Sequence, residues 1–190
     1  ANRASYEMQA RTLRVIYYNM LWHHFGNVPF YLENLSNPPY TAPQLTADEV
    51  YDQLIVELEA IIDSNVLPMR WDDTQAGRVS QAMAWMMYAE MVMYQNDESR
   101  YSKALQGMQA IINSGQYALN PDYANLWEES GEWCSESIFE INYEDANNER
   151  GWSSPLAIGG TVLPTLIAPN SWPGGDGWDG GGGYNVGGYG

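Results

Sequence analysis

Apolar residues recur at helical spacing through the first 115 positions, and that recurrence carries the fold reading. The first helix is expected from about Ser5 to Phe25. Tyr6, Ala10, Leu13, Tyr17, Met20 and His24 recur at three- and four-residue steps and would line one face, widened by Ile16, Leu21 and Trp22. Gly26-Asn27-Val28-Pro29 ends it, with Gly for a left-handed cap and Pro to block continuation. Leu35 to Pro43, rich in Pro and Asn, is an extended loop. Thr46-Ala47-Asp48-Glu49 is a capping box, in which hydroxyl and carboxylate satisfy orphan amides reciprocally. It opens a second helix with Val50, Leu54, Leu58, Ile61 and Ile62 on its apolar stripe, stopping near Asp63. The third helix, from Val79 or Ser80 to Gln95, has almost no polar face and is expected to be buried on all sides. The fourth, about Ser99 to Ser114, carries Tyr101, Ala104, Leu105, Met108, Ile111 and Ile112, with Gly115 as C-cap.

The third and fourth helices form a hairpin of roughly 36 residues, close to the tetratricopeptide period of about 34. The first and second form an earlier, looser pair, and stacked pairs make a solenoid. The pattern changes after Gly115. Phe139, Ile141 and Tyr143 alternate with Glu140 and Asn142, which predicts a strand from about Glu136 to Tyr143, with Trp127 and Trp133 packed beneath it. Helix signals vanish from Trp152 onward, and 10 of the 18 glycines fall between Ser171 and Gly190. Such a tail is either a loop pinned by Trp172, Trp178 and Tyr184 or disordered. The expected fold class is mainly α: tetratricopeptide-like repeats over 1–130, then a short strand and an irregular Gly/Trp-rich segment of the same domain over 131–190.

Composition narrows the partners. With 24 acidic and 8 basic side chains the net charge is −16. That excludes nucleic acid, whose phosphates demand Lys and Arg, and adsorption to anionic lipid. Cys134 is alone, so no intrachain disulfide forms, and both histidines lie far from it in sequence. No apolar run reaches the roughly 18 residues of a membrane span. There is no signal peptide and the chain opens Ala-Asn-Arg, so it reads as a mature or truncated piece.

The 8 Trp and 14 Tyr against 3 Phe favour half-wet surfaces, since each has an apolar face and a polar tip. Sugar rings need such faces, with amides and carboxylates for their hydroxyls. Trp152, Trp172, Trp178 and Tyr184, among Asn170, Asp176, Asp179 and Asn185, are the candidate ligand site; Trp71 beside Asp72 and Asp73 is a second. Gly175-Asp176-Gly177-Trp178-Asp179-Gly180 matches a dinucleotide fingerprint but lacks the following helix, so that reading is rejected. No cofactor is expected; the one metal alternative is a single calcium on Asp176 and Asp179. His23 and His24 diverge by about 100° on a helix and cannot form one metal face. Asp72-Asp73 and Glu144-Asp145 are pairs of the kind glycosidases use, but chance pairs are expected among so many carboxylates.

Several motifs in order resemble the SusD/RagB family. A Tyr-rich helix ends in Phe25-Gly26-Asn27-Val28-Pro29, with Asn27 where the family has Asp. Glu49-Val50-Tyr51, Leu67-Pro68, Gly77-Arg78, Tyr101-Ser102-Lys103-Ala104-Leu105 and Ser114-Gly115-Gln116-Tyr117-Ala118-Leu119 follow, then Glu136-Ser137-Ile138-Phe139-Glu140-Ile141. The resemblance covers about residues 10 to 145 and implies a non-enzymatic, surface-exposed outer-membrane lipoprotein. It would capture oligosaccharide for a TonB-dependent transporter, and would touch the membrane only through a lipid anchor not present in this chain. The alternatives are a RagB-like peptide binder, a tetratricopeptide-type interaction scaffold and, last, a glycoside hydrolase.

Overall fold

The computed structural model describes residues 3–142. Residues 1–140 form one unit and 141–190 a second, of which only Ile141 and Asn142 are described. The elements are α1 (Arg3–Phe25), β1 (Val28–Pro29), β2 (Gln44–Leu45), α2 (Ala47–Asp63), α3 (Gln81–Gln95) and α4 (Tyr101–Asn113). Short 3-10 turns lie at Asp73–Gln75, Glu98–Arg100, Ala124–Trp127 and Glu129–Gly131. β1 and β2 pair antiparallel, Val28 opposite Leu45. The architecture is mainly helical, as the periodicity predicts.

Capping chemistry sets the boundaries. Gly26, at φ +65°, ends α1 with its amide on the Trp22 carbonyl. Thr46 and Glu49 form the reciprocal box at the start of α2. The Ser80 hydroxyl accepts from the Met83 amide and opens α3, and Asn96 closes it in the left-handed conformation. The Asp97 carboxylate then holds the Ser99 amide in a 3-10 turn, so α4 proper starts at Tyr101 rather than Ser99.

The core lies where α2 and α3 meet, with α1 packed against α2 and α4 against α3. Val50, Leu54, Ile55, Leu58, Ile61, Tyr88, Met91 and Val92 are fully enclosed. Gly107 of α4 leaves room for the Trp85 ring of α3 to lie on its backbone. Around this core, ion pairs join the helices. Glu57 of α2 accepts from both Arg11 and Arg14 of α1, and Glu59 of α2 accepts from Arg100 beside α4. The arginines hold the Glu57 carboxyl below its usual range.

Three expectations change. The buried face of α1 is Met8, Thr12, Val15, Asn19 and Trp22, whereas Tyr6, Leu13, Tyr17 and Met20 face outward. Apolar residues occupy both faces of this helix, so periodicity alone could not choose. Thr12 enters the core because its hydroxyl donates to the Met8 carbonyl at 2.8 Å. Next, α3 is not buried all round, since Met86, Met93 and Tyr94 are exposed. Its apolar surface exceeds what α2 and α4 can cover. Finally, Glu136 to Asn142 is turn and irregular backbone, not strand. A strand needs a partner, and here the Ser137 amide goes to the Cys134 carbonyl while the Ser135 carbonyl receives the Ala118 amide and Arg70.

Candidate functional site

The described residues after α4, 114–142, have almost no regular structure, yet one side chain organises them. Arg70 follows Leu67-Pro68, and its guanidinium donates to the carbonyls of Gln116, Trp133, Cys134 and Ser135 at 2.9–3.2 Å. The planar fork suits this, because it presents five donors in fixed directions. Its carbon lies 4.9 Å from the Tyr117 ring centroid, and the Tyr117 hydroxyl donates to the Met69 carbonyl. Two carboxylates add stitches, Glu136 accepting from the Asn120 amide and Glu140 from the Trp133 amide. Burial raises the Tyr117 phenol above its usual range.

On this stitched loop the 3-10 turn at Ala124–Trp127 carries an outward aromatic pair. Tyr123 is 71% exposed and Trp127 75%, their ring centroids 6.0 Å apart and nearly perpendicular. This corrects the placement of Trp127 as packing beneath a strand, because no strand forms there to cover it. Two rigid ring faces beside backbone polar groups can take the apolar face of a pyranose and hydrogen-bond its hydroxyls.

A second aromatic surface lies where α1 meets the loop to α2. Tyr18, Leu21, Phe25, Val28, Tyr31 and Gln44 line an open groove of about 630 Å³. Its rings are held by their own hydroxyls: the Tyr31 amide donates to the Tyr18 hydroxyl at 2.8 Å, and the Ala42 amide to the Tyr31 hydroxyl at 3.1 Å. By contrast, the half-open cavity lined by Trp71, Arg78 and Trp133 is about 30 Å³, room for a water and not for a sugar.

No protein-family model and no curated protein matches the chain. Solved structures do. Surface glycan-binding protein A from Bacteroides uniformis is 62% identical over 94% of this chain and 36% of its own, with a TM-score of 0.77. Surface glycan-binding protein A from Bacteroides thetaiotaomicron, in complex with laminarihexaose, is 55% identical over 91% of this chain and 35% of its own, at 0.79. The chain belongs to the SusD/RagB family. A laminarin-binding SusD-like protein, 27% identical over 86% of this chain, superposes at 0.72. The chain spans about a third of the length of these relatives.

Within this SusD/RagB chain the motif residues have definite jobs. Asn27 accepts from the Ala47 amide at 2.9 Å, so its side chain caps the first turn of α2 from the end of α1. Arg78 of Gly77-Arg78 donates to Gln9 on α1, and its guanidinium lies 4.5 Å from the Trp71 ring centroid and 5.2 Å from that of Tyr6. Trp71 is thereby a packing residue, with its indole nitrogen donating to the Val79 carbonyl. Asp72 caps the next turn through Thr74, which holds its carboxyl below the usual range. His24 meets the Met20 carbonyl, while His23 stacks on Tyr94 and faces Glu90. Among the described residues no three His, Cys, Asp or Glu side chains cluster as a metal site. Trp152, Asn170, Trp172, Asp176, Trp178, Asp179, Tyr184 and Asn185 lie outside the described residues. The sequence reading missed Tyr123 and Trp127 as a surface pair; the signal that could have found them was Asp122-Tyr123, acidic and aromatic residues adjoining in a non-periodic loop.

Proposed function

We propose that this chain is the helical-repeat portion of a surface glycan-capture protein whose ligand is a neutral glucan of the laminarin type. The observation that carries the reading is 55% identity, over 91% of the chain, to a surface glycan-binding protein seen with laminarihexaose. The SusD/RagB relationship extends the proposal to a surface lipoprotein of the outer membrane that passes its glycan to a TonB-dependent transporter. The helices act as scaffold, and aromatic rings in the later segment hold the sugar. Trp152, Trp172, Trp178 and Tyr184 supply ring faces in this proposal and Asn170 and Asp176 meet hydroxyls; Tyr123 with Trp127 is a separate candidate platform on the loop after α4. The protein captures without turnover.

Isothermal titration of the protein from its complete reading frame with laminarihexaose tests this. Saturable binding that drops at least about tenfold, roughly 1.4 kcal/mol, in Trp172→Ala or Trp178→Ala is the expected result. The hexasaccharide should be recovered intact by chromatography after overnight incubation. Absence of binding, or binding unchanged by every aromatic substitution, would remove the glucan or the site respectively.

A further inference from the structure

We propose that the half-open cavity lined by Arg70 and Arg78 is a binding site for a monatomic anion of the halide class. Four other basic side chains are spent on carboxylates: Arg11 and Arg14 meet Glu57, Arg100 meets Glu59 and Asp97, and Lys103 meets Asp63. Arg70 and Arg78 meet only neutral acceptors among the described residues. Arg70 donates to four backbone carbonyls, and Arg78 to the side-chain oxygens of Gln9 and Gln75. Such dipoles solvate a charge but do not cancel it. A chain with 24 acidic residues thus leaves two guanidiniums on one cavity without an ion pair among the described residues. Donors remain as well. The Arg70 Nε–H and the Arg78 Nη2 group have no acceptor among the described residues. The Ser137 hydroxyl, on the same cavity, is buried and makes no hydrogen bond among them. Buried hydroxyls are rarely left unmatched.

Size and charge select the occupant. A cavity of about 30 Å³ holds one particle near the size of water, so phosphate, sulfate and sugars are too large. A cation is repelled by two guanidiniums. Between water and a halide, charge decides. A hydrogen bond to an ion is roughly twice as strong as a neutral one, and the donors here are guanidinium and hydroxyl groups. Asp73 is the one carboxylate among the described lining residues. It is exposed, so water weakens its opposition. The net charge of −16 is largely screened beyond about 8 Å at physiological salt, which leaves the local pair dominant. Held there, the ion would tie the segment carrying Arg70 and Arg78 to the one carrying Ser137.

Two measurements on the protein from its complete reading frame test the assignment. Crystals grown in sodium bromide should show an anomalous peak at the bromine edge, in contact with the two guanidiniums and the Ser137 hydroxyl. In solution the chloride NMR line should broaden with protein and sharpen as bromide displaces the bound ion. Arg78→Gln should abolish that displaceable broadening. Ser137→Ala, which leaves both charges, should weaken chloride at least about tenfold, and it decides alone if Arg78→Gln fails to fold. A water, or a carboxylate of the protein, at that position in the bromide crystals would overturn the proposal. A bromide peak with no displaceable broadening, or with broadening indifferent to Ser137→Ala, would mean an adventitious ion only and overturn it equally.

Discussion

Gly107 shows how a single missing side chain sets helix packing. A methyl group there would come within 2.8 Å of Trp85 Cζ3 and closer still to Cε3. Gly107→Ala gains helix propensity yet forces the indole out of a filled core, so it should lower stability by about 1–3 kcal/mol in urea unfolding. Gly115 makes the contrast: its φ is +64° and nothing lies near a built Cβ. Gly115→Ala should cost about 1 kcal/mol, from backbone conformation alone. An equal cost at both sites would mean that Trp85 yields easily. Arg70 has the other kind of residue-scale importance, joining four carbonyls that lie far from it in sequence. A lysine cannot reproduce a planar fork, so Arg70→Lys should speed amide exchange across 116–137 while leaving α2 and α3 protected. Uniform acceleration throughout would show that the loop and the helices open as one unit.

Between elements, Asp97 couples α2, α3 and α4 through polar contacts at the rim of the core. Its carboxylate receives the Ser99 amide and hydroxyl, the Arg100 guanidinium and the Tyr51 hydroxyl. Ser99 first, then Arg100 and Tyr51, lower its pKa to about 2, and burial raises the Tyr51 phenol. A depressed carboxyl stabilises the fold above its unfolded pKa, about 4, and that contribution is lost as pH falls to about 2. Melting temperature should therefore fall over that window, and Asp97→Asn should remove part of the slope while being less stable at pH 7. An unchanged slope would put the acid sensitivity elsewhere, with Glu57 the next carboxylate to test. Elements were legible in the sequence where capping chemistry is local, as at Thr46, Ser80 and Gly26. What failed depended on neighbours the periodicity does not name. The outward face of α1 is as apolar as its inward one, and the alternation from Phe139 to Ile141 has no partner strand among the described residues. The candidate site was legible only as composition. Tyr123 and Trp127 sit on a turn too short for any period, and the Arg70 hub depends on carbonyls up to 65 residues away.

At the scale of the whole chain, charge bears on which glycans the proposed capture would favour. A chain at −16 repels sulfated or uronic polymers at long range, but acts little on a neutral sugar. Salt separates these cases, because the Debye length shrinks from about 30 Å at 0.01 M to about 3 Å at 1 M. Ring stacking and neutral hydrogen bonds carry no such dependence. The dissociation constant for laminarihexaose should thus change by less than about twofold across that range in isothermal titration. A sulfated glucan of equal length should bind more weakly, with the gap narrowing as salt rises. If instead the sulfated ligand binds more tightly at low salt, a basic pocket outside the described residues overrides the global field. The ligand class would then have to be anionic, despite the acidity of the scaffold that presents the site.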